Sequence, residues 1–151
     1  MNRGEALIRH HRMQPHPEGG HFVRVQCSDA EVRSPISGER RAAMTHIYFL
    51  LRRGEVSRLH QVCHDELWCV YEGAPLRLIR GDGHHFDAVT IGPGCDHYQA
   101  LVPGGRWQAA ESRGDFTLCG CTVAPGFDFA DFALMAPHQA AEVPTCWQRF
   151  I

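Results

Sequence analysis

The stretch Gly54 to Gly73, GEVSRLHQVCHDELWCVYEG, holds the densest set of groups able to do chemistry. His60, His64 and Glu66 fall at even spacings, so a regular strand running through them would present all three on one face. A His and carboxylate set facing a barrel lumen suits a divalent metal such as Zn, Ni, Mn or Fe. It equally suits general acid–base work, because a carboxylate beside an imidazole shifts both pKa values. Trp68 continues the parity and would wall a pocket, as would Tyr48 on an earlier strand. Arg106 and Gln108 share a parity after Pro103-Gly104-Gly105 and would point into the same cavity. An Arg there suits a carboxylate or phosphate on a ligand. His16 and Glu18 precede Gly19-Gly20. They would either close the cavity as ligand-binding groups or cap a fixed turn built on Pro15, Pro17 and the glycine pair, and the turn is the simpler expectation.

The chain has 11 His in all. His10, His11, His84, His85 and His138 fall in a polar helix, a hairpin tip and a tail, which are surface positions. His46 and His97 lie on strands without an assigned role. Cys119 and Cys121 alternate on a strand and read as two small core side chains rather than half of a zinc site.

The elements that must position these groups are mostly short strands. A helix is expected from Gly4 to Met13, with Leu7, Ile8 and Met13 on its apolar stripe and Pro15 ending it. Period-two runs follow at 21–27, 44–52, 56–62, 66–72, 75–80, 86–92, 97–102, 106–111 and 115–124. Turn chemistry separates them, as at Gly81-Asp82-Gly83 and Gly92-Pro93-Gly94. Strands without intervening helices imply an antiparallel sandwich or barrel. Residues 29–41 are polar and expected as a surface loop. The aromatic tail from Pro125, with Phe127, Phe129 and Phe132, is expected to pack back over the barrel.

Composition bounds the function. At 151 residues the chain is one domain's worth, long enough to bury a core without disulfides. Its 15 basic residues are all Arg and stand against 17 acidic ones, so no basic stripe exists to track a phosphate backbone and nucleic-acid binding is disfavoured. The longest apolar run, Ile47 to Leu51, is far short of the ~20 residues of a spanning helix, so no membrane partner is expected. The start lacks an apolar signal segment, and the seven Cys are odd in number. Reduced thiols in the cytoplasm are therefore expected.

Gly54, His60, Glu66 and Gly73 match the spacing of the first cupin motif, with Val62 where its second His would stand. Pro103 and Gly105 resemble the second motif, with Gln108 in place of its His. HPEGGHF (16–22), THIYFLL (45–51), SRLHQVCHDELW (57–68), LVPGGRWQAA (101–110) and CTVAPGFDFADFAL (121–134) follow in one order and are similar to the cupin-5 branch. The resemblance covers roughly residues 5 to 135. It implies an all-β fold: one antiparallel jelly-roll cupin β-barrel with a short N-terminal helix, comprising a helix and turn (4–20), a barrel (21–135) and a C-terminal tail (136–151). It further implies a cavity sized for a small molecule and a homodimer. Of the usual metal ligands His60 and Glu66 are intact, Gln108 is a weak oxygen ligand, Val62 is none, and His64 would have to substitute.

The expected function is proton transfer by His60 and Glu66 in an isomerase or epimerase acting on a sugar-like or carboxylated metabolite. Arg106 and Gln108 would orient the ligand. The alternatives are a non-catalytic ligand-binding cupin that has lost its metal site, and a metal enzyme with an incomplete ligand set.

Overall fold

The computed structural model describes residues 1–151. Helix α1 (Arg3–His10) starts with a reciprocal cap: Asn2 accepts from the Glu5 N–H, and Glu5 accepts from the Asn2 N–H. It ends earlier than the apolar stripe suggests, because Arg12 turns left-handed at φ 55°. Met13 still reaches the buried patch that Leu7 occupies.

Thirteen strands follow: β1 (Gln14–Pro15), β2 (His21–Cys27), β3 (Glu31–Arg33), β4 (Arg40–Ala42), β5 (Thr45–Arg52), β6 (Val56–Val62), β7 (Asp65–Gly73), β8 (Leu76–Gly81), β9 (Phe86–Ile91), β10 (Gln99–Val102), β11 (Trp107–Ser112), β12 (Phe116–Ala124) and β13 (Phe132–Leu134). All nine period-two runs are strands. The polar segment 29–41 is not a plain loop, because β3 and β4 pair within it. Helix α2 (Pro137–Ala140) and a 3-10 turn at Thr145–Phe150 close the chain.

The strands form two antiparallel sheets, ordered β1-β2-β5-β12-β7-β10 and β13-β6-β11-β8-β9. They face each other in a cupin-like jelly roll, and no ladder closes them into a continuous barrel. Phe49, Leu51, Trp68, Leu76, Leu78 and Ile91 fill one end of the interior. Each fully buried side chain of this kind contributes ~1.5–3 kcal/mol of transfer free energy. The outer faces are covered as well. Leu7 and Met13 lie on Leu50 and Leu118 of the six-stranded sheet. Met135, Val143 and Phe150 of the tail lie on Leu59, Ile79 and Trp107 of the other. No helix is long and apolar enough to cross a membrane. All seven cysteines are free.

Candidate active site

The end of the interior left open by the core is a cavity of about 410 Å³. Its polar groups are His16, Glu18, His60 and Glu66, with Thr45 and Arg24; its apolar walls include Phe22, Ile47, Val62, Val123, Phe127 and Phe129.

His60 and Glu66 meet there, although not on one strand. The chain bends at Cys63-His64 and passes from β6 in the five-stranded sheet to β7 in the six-stranded sheet. The two residues therefore line the cavity from opposite sheets. A second irregularity aims the β6 side chains. His60 pairs with Gln108 but Ser57 pairs with Ala110, so one residue of β11 faces two of β6. Such a bulge puts Ser57 and His60 on the same side despite their odd spacing.

Both reach Glu18. The Ser57 hydroxyl donates to Glu18 Oε2, and His60 Nε2 lies 3.3 Å from the same oxygen. The Glu18 turn is pinned to β6 by the Arg58 N–H, which donates to the Glu18 carbonyl at 2.7 Å. Gly19 permits this approach. Its φ is 114°, and a Cβ there would stand 2.1 Å from the Val56 carbonyl oxygen.

Hydrogen bonding assigns the imidazole protons. His60 Nδ1 lies 2.7 Å from the Arg58 carbonyl, which can only accept, so Nδ1 carries the hydrogen and Nε2 presents a lone pair. His16 Nδ1 accepts from the Glu18 N–H at 3.1 Å and lies 3.2 Å from Glu18 Oε1. A proton on Glu18 Oε2 thus faces the free lone pair of His60 Nε2, whereas the single lone pair of His16 Nδ1 is engaged by the Glu18 N–H. Gln108 is equally constrained. The Trp68 indole N–H donates to Gln108 Oε1 at 2.7 Å, so the amide N–H faces Glu66 and donates to Oε1 at 2.8 Å.

Burial dominates the electrostatics. It pushes the Glu18 carboxyl up to about 8, against the opposing hydrogen bond from Ser57 and the charge of Arg58. It pushes Glu66 up to about 7, aided by Glu18 and opposed by His60 and Gln108. Burial lowers His60, with Glu66 acting the other way. His16 falls to about 4 for the same reason, with His60 adding to the effect. At neutral pH the site therefore holds neutral imidazoles beside carboxyls poised to keep or release a proton.

These shifts have a sign in stability. Glu18 and Glu66 bind protons more tightly folded than unfolded, so their contribution is complete below the ordinary carboxyl pKa. It is lost as pH rises toward about 8 for Glu18 and about 7 for Glu66. Thermal unfolding of Glu18→Gln should therefore show a flatter decline than wild type between the ordinary carboxyl range and pH 8. An unchanged slope would contradict the buried, protonated Glu18.

Several expected site residues lie elsewhere. His64, on the bend, is buried away from the cavity, with Nε2 2.6 Å from Ser34 Oγ and Nδ1 3.8 Å from Asp131 Oδ2. Asp131 is gripped by two Arg41 N–H groups at 2.9 Å. This network ties the 29–41 hairpin to the strap carrying Phe127 and Phe129. Arg106 precedes β11 in the turn and lines an outer groove with Arg80 and Asp87. Tyr48 has the parity of Leu50 and faces outward, against His11, His46 and Tyr71. Trp68 points inward but lies beneath Gln108 in the core, not in the cavity wall. His46 is part of the same outer cluster, bonded to Thr122 and Tyr71.

The expected donor set of His60, His64, Glu66 and Gln108 does not come together around one point. Val62 lines the cavity with no donor atom. The Gln108 oxygen is bonded to Trp68, and His64 is in another cluster. No three His, Cys, Asp or Glu side chains are arranged to hold a metal.

For His16 and Glu18 the capped turn is the simpler expectation from sequence, yet both line the cavity, and the bulge that brings Ser57 and His60 to Glu18 leaves no trace in spacing. Sequence reasoning passed over Arg24. The alternation in 21–27 puts Phe22 and Arg24 on one face, so that signal was present.

A family model described as Cupin_5, cupin superfamily (DUF985), matches residues 5–135. Among solved structures, a hypothetical protein from Leishmania major is 30% identical, with 99% of this chain and 97% of that one covered and a TM-score of 0.88. A protein from Shewanella oneidensis is also 30% identical, with 94% and 96% covered and a TM-score of 0.80. Oxalate decarboxylase from Bacillus subtilis shares the fold alone, at 16% identity over 83% of this chain and 31% of that one, with a TM-score of 0.60. No match was found among curated proteins.

Proposed function

Because the chain belongs to the Cupin_5 family (DUF985) of the cupin superfamily, and a fold does not name a reaction, we propose its function from the site. The protein is a metal-independent acid–base enzyme of isomerase or epimerase type, acting on a small carbonyl or hydroxy compound bound in the cavity. One observation carries this: Glu18, His60 and Glu66 converge in one enclosed cavity with carboxyl pKa values raised to about 8 and about 7. A general acid or base works best when its pKa lies near the working pH. Glu66 would take a proton from a carbon next to a carbonyl. Glu18, backed by the His60 lone pair, would deliver one to the oxygen or to the other carbon.

The test is solvent exchange. Candidate carbonyl and hydroxy acids are incubated with the protein in D2O, and deuterium bound to carbon is read by NMR or mass spectrometry. Enzyme-dependent incorporation into one compound is expected. No incorporation across the set would favour a second function, a non-catalytic binder, which is supported by Val62 and the locked Gln108 in place of ligands. For a metal-dependent cupin, protein purified without an affinity tag should carry close to one equivalent of Zn, Ni, Mn or Fe. The expected result is well below one equivalent, and a full equivalent would overturn metal independence.

The proposal keeps a cytoplasmic homodimer. Tyr71, Tyr98 and Leu101, exposed near the β10 edge, form the surface a second copy would cover.

A further inference from the structure

We infer that the cavity binds a small organic monoanion end-on, with its carboxylate at Arg24 at the mouth, an apolar body against the phenyl rings, and one hydrogen-bonding oxygen at the inner carboxyl pair. This rests on the proposed function and names its substrate class.

Arg24 is the cavity's only guanidinium. No carboxylate of the chain pairs with it. One Nη2 N–H donates to the Phe127 carbonyl at 3.2 Å, which ties the head to the strap at the cavity mouth and leaves its remaining N–H groups for a ligand. A planar guanidinium matches a carboxylate with two parallel hydrogen bonds. Most other arginines near grooves are already matched, as Arg80 is to Asp87 and Arg53 to Asp115.

The walls decide what lies behind the anion. Phe22 stands edge-on to His16, and Phe127 and Phe129 stand edge-on to each other, 4.9 Å apart. With Ile47, Val62 and Val123 they offer no hydrogen-bonding side chain. A polyhydroxylated sugar would leave hydroxyls unpaired against them, at a cost of ~1–3 kcal/mol for each group so buried. A ring or branched chain fits without that cost. At the inner end Glu18, His60 and Glu66 can pair with one hydroxyl or carbonyl oxygen. Glu18, raised to about 8, keeps its proton at neutral pH, and Glu66, raised to about 7, is only partly ionised, so the inner end carries at most one negative charge, well behind the Arg24 guanidinium at the mouth.

The probes are 4-hydroxyphenylacetate and its methyl ester, which differ in charge and share a body. Binding to the full chain is measured by titration calorimetry, with amide NMR shifts locating the site. The acid should bind at least ~10-fold tighter than the ester, and Arg24→Gln should weaken the acid by ~10-fold and leave the ester unchanged. Equal binding of acid and ester, an equal loss of both in Arg24→Gln, or no shifts at cavity residues at millimolar probe would each overturn the inference. Glu66→Gln separates the two claims. If that variant keeps the acid preference and loses solvent exchange, the anion site stands with the acid–base function. If exchange occurs in wild type without any acid preference, only the anion site falls.

Discussion

Glu66→Gln is expected to lower solvent-deuterium incorporation by about 10²–10⁴-fold, the usual contribution of a positioned acid or base. The change is nearly isosteric. The new amide oxygen can still accept the Gln108 N–H that Glu66 Oε1 accepts at 2.8 Å. What is lost is the ability to exchange a proton. The variant's unfolding temperature should therefore stay close to wild type near neutral pH and exceed it at high pH, where wild type must ionise a buried carboxyl. His60→Ala should abolish turnover by a different route. It removes the Nε2 lone pair 3.3 Å from Glu18, so the Glu18 proton loses its relay. Wild-type exchange rates in either variant would sink the assignment of proton transfer to this cluster.

The second large effect is on stability. Trp68→Ala should cost about 3–5 kcal/mol, the range for deleting a large buried aromatic. Trp68 is 1% exposed, packs edge-on against Phe49 at 5.6 Å, and sits in the interior cluster with Leu76 and Leu78. Trp68→Phe separates packing from orientation. It keeps most of the ring and removes the indole N–H, leaving the buried Gln108 oxygen unsatisfied at about 1–3 kcal/mol. Gln108 would then be free to turn its oxygen toward Glu66, raising that carboxyl further. Urea unfolding should rank wild type above Trp68→Phe above Trp68→Ala. A loss below about 1 kcal/mol for Trp68→Ala would show that the interior is not packed as described.

Much of this was legible from residue spacing. Short runs bounded by turn residues located nine strands, helped by alternation such as buried Glu66 and Trp68 between less buried Asp65, Leu67 and Cys69. His60, Glu66 and Gln108 do lie together, but Gln108 is buried between Trp68 and Glu66 rather than in the cavity wall. Even spacing implied one strand face, whereas a bend at 63–64 carries the chain between sheets and makes His60 and Glu66 face each other. That same bend sends His64 to Ser34 and Asp131, which parity alone hides. Tyr48 failed for the opposite reason. β5 is apolar on both faces because α1 covers its outer side, so hydrophobicity did not tell in from out. Arg106 failed because β11 begins one residue later, at Trp107. Glu18 reaches the cavity through a bulge and a glycine turn, both long-range features of pairing.

The most direct test of the central claim is a pH titration of the full chain labelled with 13C at the glutamate side-chain carboxyls. Glu18 and Glu66 are assigned through the Glu18→Gln and Glu66→Gln variants. The predicted result is two resonances titrating in the neutral range, near 8 for Glu18 and near 7 for Glu66. Two carboxyls that both ionise in the ordinary range near 4 to 5 would contradict it, because neither would then hold a proton at the neutral pH of the proposed proton transfer.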